Sequence, residues 1–165
     1  MKANEIYSAL SPELIQQMLN WFRDEDRKVY KTAVASLAAQ QKLRPVFIER
    51  KPLPEQYAWI HKTLKLKASN GIGEHLLQAW LMGGQKQMLA TFCDIMGIEH
   101  EEGTVNGELP ESMEAGKLDN AVEMLLEEHD PQLVAIYLTC FNQQRPDGWP
   151  ELTAKLENDE RLKLA

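Results

Sequence analysis

Cys93, Asp94, Glu99, His100, Glu101 and Glu102 crowd into one stretch, MLATFCDIMGIEHEEG, residues 88–103. Thiolates, imidazoles and carboxylates hold metal ions, move protons and attack carbonyl carbons. The spacing argues against each of these uses. A zinc site needs about four ligands in tetrahedral geometry, and neither Cys-x-x-Cys nor His-x-x-x-His occurs here. A calcium loop needs oxygen ligands at alternating positions around a central glycine, and Met96 stands where such an oxygen would be. The stretch reads as the end of a helix. Met88, Leu89, Phe92 and Met96 recur on one face, with Cys93 at its border as a small buried hydrophobe. Gly97 is placed to end the helix in the left-handed region, and Ile98 to pack back onto the last turn. His100 and the glutamates then belong to an acidic loop.

Other reactive residue types are dispersed. His75 and His129 adjoin Glu74 and Glu128, but consecutive helix residues point about 100° apart and make no two-ligand clamp. His129 fits the dipole at a helix C-terminus. His61, His75, His100 and His129 are scattered along the chain. No Gly-x-Ser-x-Gly elbow, HExxH or phosphate-loop pattern occurs. LKLKASNGIGEH, residues 64–75, sets two lysines before a glycine-containing helix start, a weak anion-site pattern; Ser69 or Asn70 also serves there as a plain helix cap. No catalytic, cofactor-binding or metal-binding residue is assigned, and no cofactor is expected.

The residues best suited to contact a partner lie elsewhere. Between residues 42 and 67 seven Lys and Arg face two Glu, with Phe47, Tyr57 and Trp59 interleaved. Arg44, Phe47, Arg50, Lys51 and Trp59 are the candidate contact residues of this stretch. Trp149, in WPEL, is a further candidate anchor, since Trp is enriched at interfaces; packing onto the preceding helices is the alternative. Between residues 98 and 130 eleven acids face the single Lys117. The chain is thus charge-split.

Helices must position these groups. Ser11-Pro12-Glu13 is an N-cap, a proline in the first turn and an acid, and Leu14, Ile15, Met18, Leu19 and Phe22 follow at helical spacing. RDEDRK interrupts this stripe, and Asp24 or Asp26 can cap a second helix through Val29, Tyr30, Ala33, Val34 and Leu37. Prolines 45, 52 and 54 disfavour a continuous helix, so residues 42–56 read as an extended basic connector pinned by Phe47. Helical hairpins are expected at 12–43, 72–97 and 118–146, with Gly83-Gly84 and Asp130-Pro131 at two of the turns. The region 99–114 reads as loop, and an amphipathic segment follows Pro150. Aligned at an offset of 49, Leu76, Leu77, Met88, Leu89 and Phe92 meet Leu125, Leu126, Tyr137, Leu138 and Phe141. An offset of 58 relates the first hairpin to the second. A degenerate hairpin repeat follows. The expected fold is all-α, a helical bundle or short array of antiparallel hairpins in one domain, 1–165. Leu19, Phe22, Leu77, Trp80, Leu89, Phe92, Leu126, Leu138 and Phe141 are expected in the core.

The chain has 165 residues, 44% hydrophobic and 26% charged, with net charge −7. These values suit one domain with a core and exclude wholesale disorder. No apolar run approaches the roughly 20 residues of a bilayer span, and MKANEIYSAL has no apolar signal region. Two cysteines in helical patterns point to a reducing cytoplasm. The acidic balance argues against nucleic acid, although the basic stretch 42–67 with its aromatics is the surface that would bind it.

MLATFCDIMGIEH, LPESM (residues 109–113) and YLTCFN…GWPEL together resemble a family of small, uncharacterised bacterial all-helical proteins. The resemblance covers the C-terminal half, from about Leu76. It implies a bacterial cytoplasmic origin and carries over no site residue. The function expected is a protein–protein interaction or scaffold module of the bacterial cytoplasm, binding a protein partner through helical grooves and a charge-split surface. Homo-oligomerisation is a further expectation, and a membrane is not expected as partner. The alternatives are an enzyme or small-ligand binder with an unrecognised helical site, and a weak nucleic-acid binder through residues 42–67.

Overall fold

A computed structural model describes residues 1–164. The fold is all-α: ten α-helices lie among the described residues, and β structure is confined to one pair of two-residue strands. No helix is long and apolar enough to cross a membrane. The chain divides into two units, Met1–Trp80 and the residues from Leu81 on.

The first unit contains α1 (Ala3–Ala9), α2 (Pro12–Glu25), α3 (Arg27–Gln40), α4 (Pro45–Glu49) and α5 (Leu53–Leu64). A 3₁₀ turn at Lys67–Ser69 leads into α6 (Asn70–Gly84), which continues past Trp80. Ser11 caps α2 by accepting from the Leu14 N–H at 3.1 Å. Asp26 both ends α2 and caps α3, so the expected break falls there. The extended connector is not what forms at 42–56. Pro45 sits in the first turn of α4, where its missing N–H costs nothing, and the chain is helical to Glu49. Ile48 is the residue that pins this helix, at 1% exposure, whereas Phe47 is 58% exposed. On a helix these neighbours point about 100° apart, so only one of them can face the core.

Two further features of this unit were not expected. α1 forms in the N-terminal decapeptide, and the side chain of Asn70 accepts from the Asn4 N–H at 2.8 Å. Residues 70–73 are helix rather than loop. Gly73 lies against Tyr7: the Tyr7 hydroxyl donates to the Gly73 carbonyl at 2.9 Å, and a Cβ there would meet the Tyr7 ring at 2.8 Å. The glycine of the weak anion pattern therefore serves helix packing.

The second unit contains α7 (Lys86–Met96), strands β1 (His100–Glu101) and β2 (Thr104–Val105), α8 (Ala115–Glu128), α9 (Pro131–Asn142) and α10 (Pro150–Asn158), then a 3₁₀ turn at Glu160–Leu162. Gly97 ends α7 in the left-handed region, and the Ile98 N–H reaches back to the Cys93 carbonyl at 2.8 Å, the Schellman closure expected of Gly-Ile. The loop after it holds a small antiparallel hairpin, with His100 opposite Val105 and Glu101 opposite Thr104. Its two-residue turn has φ +51° at Glu102 and +88° at Gly103, as a type I′ turn requires. Gly103 lies so close to α7 that a Cβ would come within 2.4 Å of the Leu89 Cβ.

Of the expected core residues, all are buried except Leu126, which is half-buried; Leu125 takes its place at 0% exposure. Phe92 meets Tyr137 and Phe141 edge-on, at centroid distances of 5.4 and 5.1 Å. The offset of 49 thus fails at the pair Leu77 and Leu126. Helix starts agree to within one residue at a different offset, 104, which sets α2–α3–α4 on α8–α9–α10. Leu14, Met18, Tyr30, Ala33, Val34, Leu37 and Ile48 then fall on Leu118, Val122, Val134, Tyr137, Leu138, Phe141 and Leu152, every one buried. The helix caps Asp26 and Asp130 also coincide.

Candidate functional site

Asp94 and His100 do come together. The Gly103 N–H donates to His100 Nδ1 at 3.0 Å, which places the ring proton of the neutral imidazole on Nε2. That N–H donates to the Asp94 carboxylate at 2.6 Å. Both ring nitrogens are engaged, so His100 cannot take a proton from a substrate without first breaking the hairpin's hydrogen bonds. Cys93 is fully buried, its thiol facing the Gly103 carbonyl at 3.9 Å. Burial pushes the thiol pKa up, away from the thiolate that a nucleophile needs. The opening cluster fastens a hairpin to α7. Among the described residues no three His, Cys, Asp or Glu side chains gather as a metal site would require.

Trp149 is not an exposed anchor. It is 0% exposed, its indole N–H donates to the Pro110 carbonyl at 2.7 Å, and its backbone N–H donates to the Asn142 side chain at 2.8 Å. The guanidinium of Arg145 lies 5.7 Å from its ring centre. Trp149 thus holds loop 106–114 to the α9–α10 link within the second unit.

Open surfaces of the first unit include a groove and an exposed helical face. The groove, of about 460 Å³, lies between α2 and α5. The His61 Nε2 lies 2.7 Å from the Tyr7 carbonyl, and the Tyr57 hydroxyl donates to Asn20 at 2.7 Å. The first pairing ties α5 to α1 and the second ties α5 to α2. Buried Ile15, Tyr57 and His61 form the floor. Pro12, Leu53, Pro54 and Ala58 add apolar wall, while Gln16, Asn20, Lys62 and Lys65 bring polar groups to the rim. Burial, assisted by the charge of Lys65, lowers the His61 pKa against the opposing effect of the Tyr7 carbonyl. The ring is therefore neutral at pH 7, and its Nε2–H donates to that carbonyl. Neither Lys62 nor Lys65 pairs with a carboxylate among the described residues.

The exposed helical face is α4 and its flanks. Leu43, Val46 and Phe47 are 41%, 37% and 58% exposed, and Lys42, Arg44, Arg50 and Lys51 are exposed around them. Four of the sequence-derived candidates, Arg44, Phe47, Arg50 and Lys51, are thus brought to one face. Trp59 is half-buried and lines neither surface; Tyr57, buried beneath the groove, is not free to stack on a base.

The charge split follows the two units. Met1–Trp80 carries twelve Lys and Arg against eight Asp and Glu, net +4; the remainder carries six against seventeen, net −11. Among the described residues every ion pair joins side chains between Lys86 and Lys163. No Lys or Arg of the first unit pairs with a carboxylate among the described residues, and the Arg23 guanidinium lies 5.8 Å from the Tyr30 ring centre. Sequence reasoning missed the groove because its walls lie about forty residues apart; the one local signal was the pair of exposed lysines following Ala58 at i+4 and i+7.

Compared with family models, curated proteins and solved structures, the chain matches none.

Proposed function

We propose that the protein is a protein–protein interaction module of the bacterial cytoplasm, and that the α2–α5 groove receives an amphipathic helix of an acidic partner. The observation that carries this reading is the groove itself, with its apolar wall, a floor of Ile15, Tyr57 and His61, and two lysines lacking intramolecular carboxylate partners. Leu53 to Lys65 spans about 18 Å of helix, room for about three turns of a guest. Helices dock in such grooves through apolar residues at i, i+3, i+4 and i+7. Unpaired rim charges favour a guest of opposite sign and speed its encounter. Scaffolding is the natural use of such a module, since nothing in the groove combines a nucleophile with a free base.

The test is capture from the native cytoplasm, nuclease-treated and untreated, by tagged wild type and two full-length variants. Ala58→Trp fills the groove at an exposed helix position. Lys62→Glu/Lys65→Glu reverses its rim charge. The expected result is a stoichiometric, nuclease-resistant protein held by wild type and depleted about tenfold, ~1.4 kcal/mol, by each variant, with melting temperatures unchanged. Equal capture by all three proteins would remove the groove from the account. A partner lost on nuclease treatment would move it to nucleic acid.

A further inference from the structure

We propose that the α4 face docks onto the outer face of α8 in a second copy of this chain. Phe47 is the most exposed of the large apolar residues, and Arg50 and Lys51 follow it at i+3 and i+4. That spacing brings them beside the ring, because the backbone remains helical through Arg50. Neither cation has a carboxylate partner among the described residues. On α8 the complementary arrangement occurs. Met124 is 38% exposed, and Glu127 and Glu128 follow it at the same i+3 and i+4 spacing, both exposed. Neither carboxylate has a cation partner among the described residues; Glu123, by contrast, is held by Arg161. A thioether packs well on an aromatic ring, and two cations meet two carboxylates around that contact. Both faces remain open in the single chain, so a second copy is the occupant for which both sides of the contact are already present. The surface shares no residue with the groove lining, and its test is independent of the groove reading.

The association is electrostatic at its rim and apolar at its centre. Each copy carries both faces. Reciprocal docking closes a dimer, and one-way docking builds a chain of copies. The experiment is sedimentation equilibrium of the full chain over a range of concentrations, at low salt and at roughly 1 M salt, where screening acts within about 3 Å. The expected result is a mass that rises above the monomer with concentration at low salt and falls back at high salt. Phe47→Ser weakens the association about tenfold or more. Arg50→Glu/Lys51→Glu and Glu127→Lys/Glu128→Lys are each monomeric alone, because like charges then face each other. Mixed in equal amounts, these two charge-reversed proteins recover the association. A wild type that stays monomeric throughout would overturn the proposal. So would charge-reversed variants that associate like wild type, or a mixture that fails to recombine.

Discussion

The three-helix runs α2–α3–α4 and α8–α9–α10 share helix order, aspartate caps and buried positions, yet their surfaces differ in charge: residues 12–49 carry six Lys and Arg against five Asp and Glu, net +1, and residues 115–158 three against eight, net −5. Leu37 and Phe141 occupy equivalent core positions, as do Ile48 and Leu152. At the same offset Arg23 falls on Glu127, Leu43 on Asp147 and Phe47 on Glu151. Core positions are held by packing, where one methylene is felt, while exposed positions are energetically lax. Helix α3 buries one stripe, Tyr30, Ala33, Val34, Leu37 and Ala38. Helix α9 is buried continuously from Leu133 to Leu138, with contacts from α8, α10 and the terminal 3₁₀ turn. The contrast teaches that one helical plan can carry a surface with several internal ion pairs or one whose Lys and Arg have no carboxylate partner among the described residues.

The largest test of that comparison is in the core. Phe141→Ala should cost ~3–5 kcal/mol and Leu37→Ala ~2–5 kcal/mol in urea melts. A loss below ~1 kcal/mol at either position would break the equivalence. The caps come next. Asp130 accepts from the Gln132 N–H at 2.8 Å, and Asp26 from the Val29 N–H at 3.4 Å. Asp130→Ala should cost ~1 kcal/mol, and Asp26→Ala less, because the longer bond is the weaker one. The reverse order would show that the caps are not used alike.

A smaller effect separates the units by acid response. Hydrogen bonds from Arg161 hold the carboxyl groups of Asp159 and Glu123 below their ordinary range. A carboxylate depressed in the folded state stabilises it above the unfolded pKa, near 4, and that contribution is lost as pH falls through the folded pKa. Arg161→Ala should therefore lower the urea midpoint at pH 7 and make progressively less difference as pH drops below about 4. A difference that persists in full at pH 2 would contradict the ion-pair assignment. The smallest expected effect is that of Phe47→Ser on stability, within ~0.5 kcal/mol, although the same change should abolish most self-association. A loss above ~1 kcal/mol would mean that Phe47 is packed, and the α4 face closed.

Much of the scaffold was legible in the sequence because its signals are local. Ser11-Pro12, Asp26, Gly97-Ile98 and Asp130-Pro131 each act within one turn of chain. The 3.6-residue stripes of α2, α7 and α9 found Phe22, Phe92 and Phe141. What escaped depends on distant residues. α1 is tied through Asn70, far along the chain. Pro45 read as a helix breaker but starts α4, and the anchor is Ile48 instead of Phe47 because a helix, not a strand, sets the facing. The hairpin at 100–105 needs α7 to receive Gly103. At the surface, Arg44, Phe47, Arg50 and Lys51 could be picked out by composition, whereas Trp149 could not be placed without knowing that Pro110 and Asn142 converge on it. The groove was invisible for the same reason, since α2 and α5 meet only in the fold.

The central claim is that the α2–α5 groove selects an acidic amphipathic helix. It is tested most directly by amide chemical-shift mapping of the ¹⁵N-labelled full chain, titrated with a Leu/Glu amphipathic helical peptide and with its Leu/Lys counterpart. Saturable shifts at Ile15, Gln16, Ala58, Lys62 and Lys65 with the acidic peptide alone are the predicted result, lost in Ala58→Trp. Shifts confined to α4, equal responses to both peptides, or no saturable response along α2 and α5 would contradict it.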